Sequence, residues 1–163
     1  MNERRLKVEV PEAHYTLFSA TRGALPEVIV VNDALLTFRH TEVFPWHLWV
    51  CLEATKLGDN GMPTHDESTL LFKVGDRIED TVLGGRTELG AKNAVFVARS
   101  TWNERRELHF QVHDPDIADV ALKRMIASHD GTREWEYRMT HDPNWSEAGR
   151  IFQLFPLSQG ADA

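Results

Sequence analysis

Residues 106–117 read RELHFQVHDPDI, and this stretch contains the two signals on which the fold prediction depends. Leu108, Phe110 and Val112 alternate with polar residues, which is the period-two pattern of a strand with one buried side. Asp114-Pro115 follows at once, and it predicts a helix with aspartate as its N-cap and proline in its first turn. The stretch therefore indicates a β-strand that leads directly into an α-helix.

Similar signals occur on both sides of this stretch. Residues 48–54 alternate apolar and polar side chains, and Thr64 and Glu67 have the T-x-x-E spacing of a capping box, in which each side chain binds an unpaired backbone N–H. A helix should therefore begin near His65 and stop at Gly84-Gly85. Alternation predicts two more strands, over residues 93–100 and 133–139.

From residue 45 the predicted order is thus β-α-β-β-α-β. Right-handed crossovers place these strands in an antiparallel sheet of order 4-1-3-2 with both helices on one face, which is the ferredoxin-like arrangement of the α+β class. We expect this ferredoxin-like domain, with a C-terminal helix that begins at Asp142-Pro143, to span residues 45–158. Residues 1–44 should form an N-terminal β-rich extension, whose packing the pattern does not fix, and residues 159–163 a disordered tail.

The composition excludes several classes of protein. No apolar run approaches the stretch of about 20 residues that crosses a bilayer, and the single cysteine, Cys51, rules out an internal disulfide. The charged start at residues 1–5 leads into no apolar segment, so we expect a cytoplasmic protein. The formal net charge is −7 and no basic cluster is longer than Arg105-Arg106, which argues against direct nucleic-acid binding and favours a basic protein partner.

Three short marks carry a family resemblance: Gly61-Met62-Pro63, the hairpin residues 103–107 (NERRE), and Asp142-Pro143-Asn144-Trp145. In this order and spacing the chain resembles an uncharacterised bacterial family called domain of unknown function 695, and the related regulator of ribonuclease E activity B family. It departs from their usual pattern at two positions, since Glu104 stands where glycine is usual and Asn144 stands where glutamate is usual. The resemblance implies a ferredoxin-like fold. For the regulator branch it also implies inhibition of an endoribonuclease through protein–protein contact.

Trp102, Arg105 and Arg106 are the first candidate binding residues, because they lie at a predicted hairpin tip. Tryptophan and arginine are enriched at the hot spots of protein interfaces. In the alternative interpretation, Trp102 folds back onto a neighbouring helix and the arginines pair with nearby carboxylates.

A second candidate surface is the side of the sheet that the helices leave uncovered. Its mixture of aromatic and polar side chains is typical of a small-ligand site. The residues expected there are Trp49, His109, Gln111, His113 and Arg138.

No residue pattern in the chain requires catalysis. His109 and His113 lie on one strand about 13 Å apart, which is too far for one metal ion, and there is no paired cysteine motif or nucleophile elbow. Asp114 and Asp142 are explained as helix caps. We therefore predict no catalytic residue, metal or cofactor, and a regulatory or adaptor domain that binds another protein. A homodimer is compatible with this prediction. The alternatives are a small-ligand-binding domain and, third, a hydrolase.

Overall fold

A computed structural model describes residues 8–128 and 132–155 of the chain. In these residues an antiparallel sheet of six strands is combined with three α-helices, so the predicted α+β class is confirmed. The strands are β1 (Tyr15–Arg22), β2 (Leu25–Asn32), β3 (Trp46–Glu53), β4 (Ala94–Trp102), β5 (Arg105–Val112) and β6 (Trp135–His141). The helices are α1 (His65–Leu83), α2 (Pro115–Ala127) and α3 (Ser146–Phe152). The predicted tail over 159–163 lies outside the described residues.

The sheet is larger than the four strands that the sequence predicted, because the N-terminal extension joins it. The strand order is β1-β2-β4-β5-β3-β6, and β2 pairs with β4 from Glu27 opposite Trp102 to Val31 opposite Ala98. Without β2, the outer edge of β4 would present a row of unpaired backbone groups. The β1–β2 hairpin therefore widens the sheet and leaves its faces for other elements.

Helices α1 and α2 cover one side of the sheet, which we call the α1/α2 face. Alternate residues of the central strands point to this side, as the period-two pattern predicted. They form the main apolar core with both helices, and its fully buried members include Leu48, Leu52, Leu71, Ile78, Phe110 and Leu122. None of the helices in the described part of the chain combines the length and hydrophobicity of a membrane-spanning helix.

Helices α1 and α2 both begin where their N-cap residues indicated in the sequence. The Thr64 side chain accepts a hydrogen bond from the Glu67 N–H at 3.3 Å, and the Asp114 side chain accepts one from the Asp116 N–H at 2.9 Å. The capping box is only half formed, however. The Thr64 N–H donates to the Lys56 carbonyl at 3.0 Å, so the Glu67 carboxylate is not its acceptor.

Helix α3 packs on the opposite side of the sheet, which we call the α3 face. Ala148, Ile151 and Phe155 are buried there against β2 and β4. The start predicted at Asp142-Pro143 was wrong by three residues, because residues 142–145 form a turn before the helix. Asp142 nevertheless caps α3, since its carboxylate accepts from the Ser146 N–H at 2.8 Å.

Strand β4 contains one irregularity. Phe96 pairs with Phe110 on β5 and Ala98 pairs with the next residue, His109, so Val97 is an extra residue in the ladder. Such a bulge bends the strand and increases its twist. On both sides of it the alternation between the two faces is regular.

Two of the three sequence marks contact each other. The Glu104 N–H donates to the Gly61 carbonyl at 2.8 Å, and a Cβ at Gly61 would lie 3.3 Å from the Glu104 nitrogen. Gly61 has φ +75°, and Asn103 and Glu104 at the β4–β5 turn have φ +46° and +66°. A turn with two positive φ angles favours glycine, which explains the residue usual at position 104. These marks therefore fix loop geometry.

Candidate functional site

A polar cleft of about 360 Å³ opens on the α3 face, between strands β5, β3 and β6 and the start of α3. Side chains of β3 and β5 enter it from alternate positions, which is why neighbouring residues such as Leu48 and Leu108 are absent from it. Its charged members are Arg22, Arg105, Glu107, Arg138, Asp142, Glu147 and Arg150. We call it the α3-face cleft.

The four arginines of the cleft differ in their partners. Arg22 pairs with Glu107 at 3.1 Å and Arg150 pairs with Glu147 at 2.8 Å. Arg105 and Arg138 form no ion pair with any carboxylate of the described residues. Two cationic groups therefore face the cleft with their charge uncompensated.

Aromatic rings hold these two arginines in place. The Arg138 guanidinium lies 5.0 Å from the centre of the Trp49 ring, and that of Arg105 lies 5.3 Å from the centre of the Trp102 ring. The negative face of an aromatic ring attracts a cation without neutralising it. Arg105 donates its Nε to the Asn103 carbonyl at 3.4 Å, and its two Nη groups stay available to another group, as does the Arg138 guanidinium.

Glu107 forms the acidic floor of the cleft. It is buried, and its carboxylate accepts hydrogen bonds from the Trp49 indole at 2.6 Å and from Arg22 at 3.1 Å. Burial alone would raise the pKa of Glu107, but the Trp49 hydrogen bond, with His109 and Arg22 nearby, lowers it below the ordinary value. Glu107 therefore stays ionised at neutral pH.

Two buried histidines lie beside it. His47 Nε2 is 3.0 Å from His109 Nδ1, and their rings stack with centres 5.3 Å apart. Burial lowers the pKa of both, and that of His109 falls to about 4. The pair is therefore neutral at pH 7, with one ring donating and the other accepting, and the positive charge of the cleft comes from its arginines.

The sequence prediction placed Trp49, His109 and Arg138 on this surface, and all three line the cleft. His113 lies beyond the end of β5, where its Nδ1 is 2.6 Å from the Val43 carbonyl oxygen, outside the cleft. Gln111 is fully buried, and its amide donates to the Phe44 carbonyl at 3.0 Å. The segment before β3 covers Gln111, which the sequence did not predict.

The hairpin-tip residues do not form one surface. Trp102 and Arg105 are paired across the turn and lie on the α3 face, where the Trp102 indole donates to the Arg22 carbonyl at 2.9 Å. Trp102 therefore packs on β1, and not on a helix as the alternative supposed. Arg106 is 3% exposed and points to the α1/α2 face, so its expected position at an exposed tip was wrong. Neighbouring residues of a strand point to opposite faces.

Several residues of the cleft were not predicted from the sequence. His47 and Glu107 have the same parity on their strands as Trp49 and His109, so the alternation contained the signal that would have found them. Arg22 and Arg150 reach the cleft from β1 and α3. Their place depends on long-range packing, for which the sequence offers no local signal.

The described residues were also compared with the requirements of a metal site and of a cysteine nucleophile. Residues 8–128 and 132–155 contain no group of three or more side chains arranged to hold a metal ion. Burial, together with the nearby Glu107, raises the pKa of the Cys51 thiol to about 11, so it is not a thiolate at neutral pH. The cleft is thus a polar, positively biased recess, and Cys51 is not among the residues that line it.

A family model described as a family of unknown function (DUF695) matches residues 14–147. This range contains all six strands and the cleft residues except Arg150. A search of curated proteins found no significant match.

Proposed function

The chain belongs to the DUF695 family of unknown function, and from its own geometry we propose a non-catalytic domain that binds a small anionic molecule in the α3-face cleft. One observation carries the proposal: Arg105 and Arg138 face a formed recess without a carboxylate partner among the described residues. Arginine forks match the geometry of carboxylate and phosphate groups. An anion that enters the cleft would offset part of this positive charge.

The surroundings narrow the chemistry of the ligand. A volume of about 360 Å³ is near the lower end of small-molecule sites, which range from roughly 300 to 1,000 Å³. The ring of Trp49, beside Arg138, offers a flat apolar contact for a planar group. The ionised Glu107 below it disfavours a second negative charge deep in the cleft. We therefore expect a compact carboxylate or phosphate ester with one anionic end.

This proposal predicts that two cleft substitutions weaken binding. Calorimetric titration of the full chain with a panel of small carboxylates and phosphate esters should identify a ligand with a Kd below about 1 mM. Arg138→Gln and Arg105→Gln should each weaken that ligand about tenfold or more, since each removes a charged hydrogen bond. Arg124→Gln, an exposed position on α2, is the matched control and should leave the Kd unchanged. If no member of the panel bound, or if both substitutions left the Kd of the ligand unchanged, the proposal that the cleft binds an anion would be refuted.

The resemblance to the regulator of ribonuclease E activity B family supports a second proposal, a bacterial cytoplasmic regulator that binds an endoribonuclease without touching nucleic acid. Its fold would be ferredoxin-like, which the strand order β4-β5-β3-β6 with α1 and α2 on one face favours. The net charge of −7 suits a basic partner, and Val120 and Ile126 on α2 are 55% and 44% exposed, which suits an apolar contact.

The regulator proposal predicts that the purified chain, in slight excess, slows RNA cleavage by ribonuclease E. Val120→Ser should relieve the inhibition, while Leu89→Ser, at a more exposed apolar site outside the helices, should not. Cleavage at the uninhibited rate would contradict this role. Because the assay contains no small ligand, its failure leaves the cleft proposal standing.

A further inference from the structure

A second pocket, of about 220 Å³, lies on the α1/α2 face between the start of α1 and the β1–β2 hairpin. It shares no residue with the α3-face cleft. Most of its wall is apolar, and the residues that matter below are Leu17, Val28, Val30, Phe72, Arg99 and Arg106. We call it the Phe72 pocket.

Arg106 is buried in this pocket without a full set of partners. Its Nε donates to the Thr101 hydroxyl at 3.0 Å and its Nη2 to the Ser68 hydroxyl at 3.3 Å. Its Nη1 is buried and has no hydrogen-bond partner among the described residues. Burial, with Arg99 close by, lowers the pKa of Arg106 to about 10, so the group is still charged at neutral pH.

Arg99 is the second cation of the pocket. Both guanidinium groups contact the Phe72 ring. The Arg99 group lies 4.7 Å and the Arg106 group 4.3 Å from the ring centre. Neither arginine forms an ion pair with a described carboxylate. Asp76 and Glu79 on α1 are close enough for a longer-range electrostatic attraction, Asp76 to Arg106 and Glu79 to Arg99. Two like charges are thus held together at a largely apolar site.

This arrangement is unfavourable unless something else supplies the opposite charge. A buried cation without a partner carries a desolvation penalty that hydroxyl groups offset only in part. The adjoining surface is also unusual, because Leu17 is 63% exposed and Phe72 is 39% exposed. Two cationic groups beside an exposed apolar surface suit an amphiphilic ligand with an anionic end.

We propose that the Phe72 pocket binds a small monocarboxylate with an apolar body. The carboxylate lies against Arg99 and Nη1 of Arg106, and the apolar body lies on Leu17, Val28 and Val30. Because the Phe72 ring covers the Arg106 guanidinium, this ring turns aside as the carboxylate enters. A bidentate contact with a guanidinium fork favours carboxylate over a neutral amide of the same shape.

The test is an NMR titration of the full chain with hexanoate, compared with hexanamide and with inorganic phosphate. Hexanoate should bind with a Kd below about 1 mM and should shift the side-chain Nε–H signal of Arg106 and the ring signals of Phe72. Hexanamide and phosphate should each bind at least about tenfold more weakly, since one lacks the charge and the other lacks the apolar body. The side-chain signal of Arg138, on the other face, should move much less than that of Arg106.

Two variants identify the cations. Arg99→Gln should weaken hexanoate about tenfold, and Arg106→Lys should weaken it further because an ammonium lacks the fork. Arg77→Gln, an exposed arginine on α1, is the control and should bind as the parent does. If Arg106→Lys does not fold, the hexanoate Kd of Arg99→Gln alone tests the proposal. Absence of hexanoate binding at about 10 mM, equal binding of hexanamide or phosphate, or an unaffected Arg99→Gln variant would each overturn the proposal.

Discussion

Replacing Glu67 with alanine is expected to lower the free energy of unfolding by about 3–5 kcal/mol. Glu67 is 1% exposed at the start of α1, and its carboxylate accepts from Arg133 Nε at 2.8 Å, from Arg133 Nη2, and from the Thr55 N–H at 2.7 Å. Alanine removes the carboxylate and deprives the half-buried Arg133 and the Thr55 N–H of this acceptor. Loss of one member of a buried pair is among the most costly single changes in a protein.

The same ion pair makes the free energy of unfolding depend on pH. The hydrogen bond from Arg133 lowers the pKa of Glu67 from 4.5 to about 2, against the opposing effect of burial. The folded pKa is lower than the unfolded one, so the contribution is complete above pH 4.5 and is lost as the pH falls towards 2. From the size of the shift it is worth about 3 kcal/mol.

Urea unfolding of the parent, Glu67→Ala and Asp66→Asn at pH 7 checks both statements. Asp66 is the exposed neighbour in the same helical turn, and its substitution should cost less than about 1 kcal/mol. Repeating the series at pH 3 should narrow the gap between the parent and Glu67→Ala. A Glu67→Ala variant within about 1 kcal/mol of the parent at pH 7 would show that the pair contributes little net stability.

The second large effect is expected from the histidine pair under the α3-face cleft. Burial lowers the pKa of His109 from 6.5 to about 4 and also lowers that of His47. Below pH 6.5 the unfolded chain therefore binds protons that the folded chain does not, so stability falls as the pH falls from 6.5 towards 4. For His109 alone the loss between pH 6.5 and 4.5 is about 2–3 kcal/mol.

A variant without these titrating rings tests this interpretation. His47→Asn combined with His109→Gln should flatten the pH dependence of the free energy of unfolding between pH 6.5 and 4.5, whatever its stability at pH 7. His65→Gln removes an exposed histidine and should keep the steep dependence of the parent. If the double variant lost stability with acid as steeply as the parent, the buried histidines would not be the cause.

Local signals in the sequence predicted the local structure well. Thr64 and Asp114 cap α1 and α2 as expected, because the N–H groups that a cap binds lie within three residues of it. Alternation placed β3, β5 and β6, since each strand turns apolar side chains to the core on the α1/α2 face and mostly polar ones to the other side. Alternation also correctly assigned Trp49, His109 and Arg138 to a single surface of the sheet.

Contacts between distant parts of the chain were not predictable in the same way. Glu67 fits a capping box by spacing, yet its carboxylate binds Arg133, which is 66 residues away. Similarly, the pairing of β2 with β4 and the position of α3 depend on surfaces that no short pattern specifies. Arg106 was misplaced for a simpler reason, because it was grouped with Arg105 as a charged tip although strand geometry separates them.

The sequence marks that carry the family resemblance have structural roles. Gly61 lies against the β4–β5 turn, and Asp142 caps α3. Trp145 is buried with φ +55°, and its indole donates to the Phe44 carbonyl at 2.8 Å. This explains why the marks predicted architecture and not a reaction. The same marks also contribute to both recesses, since Arg105, Glu107 and Asp142 line the α3-face cleft and Arg106 lines the Phe72 pocket.

The extra residue in β4 determines where this strand can change length among relatives. If Val97 were deleted, the pairs Phe96 with Phe110 and Ala98 with His109 would form an uninterrupted ladder, so a homologue one residue shorter here would keep every other side chain on its present face. The cost would be confined to the lost packing of Val97, which is fully buried. A deletion between Arg99 and Trp102 would instead shift part of the strand out of phase and exchange side chains between the α3-face cleft and the Phe72 pocket. Gaps in the family should therefore be tolerated at position 97 and avoided immediately after it.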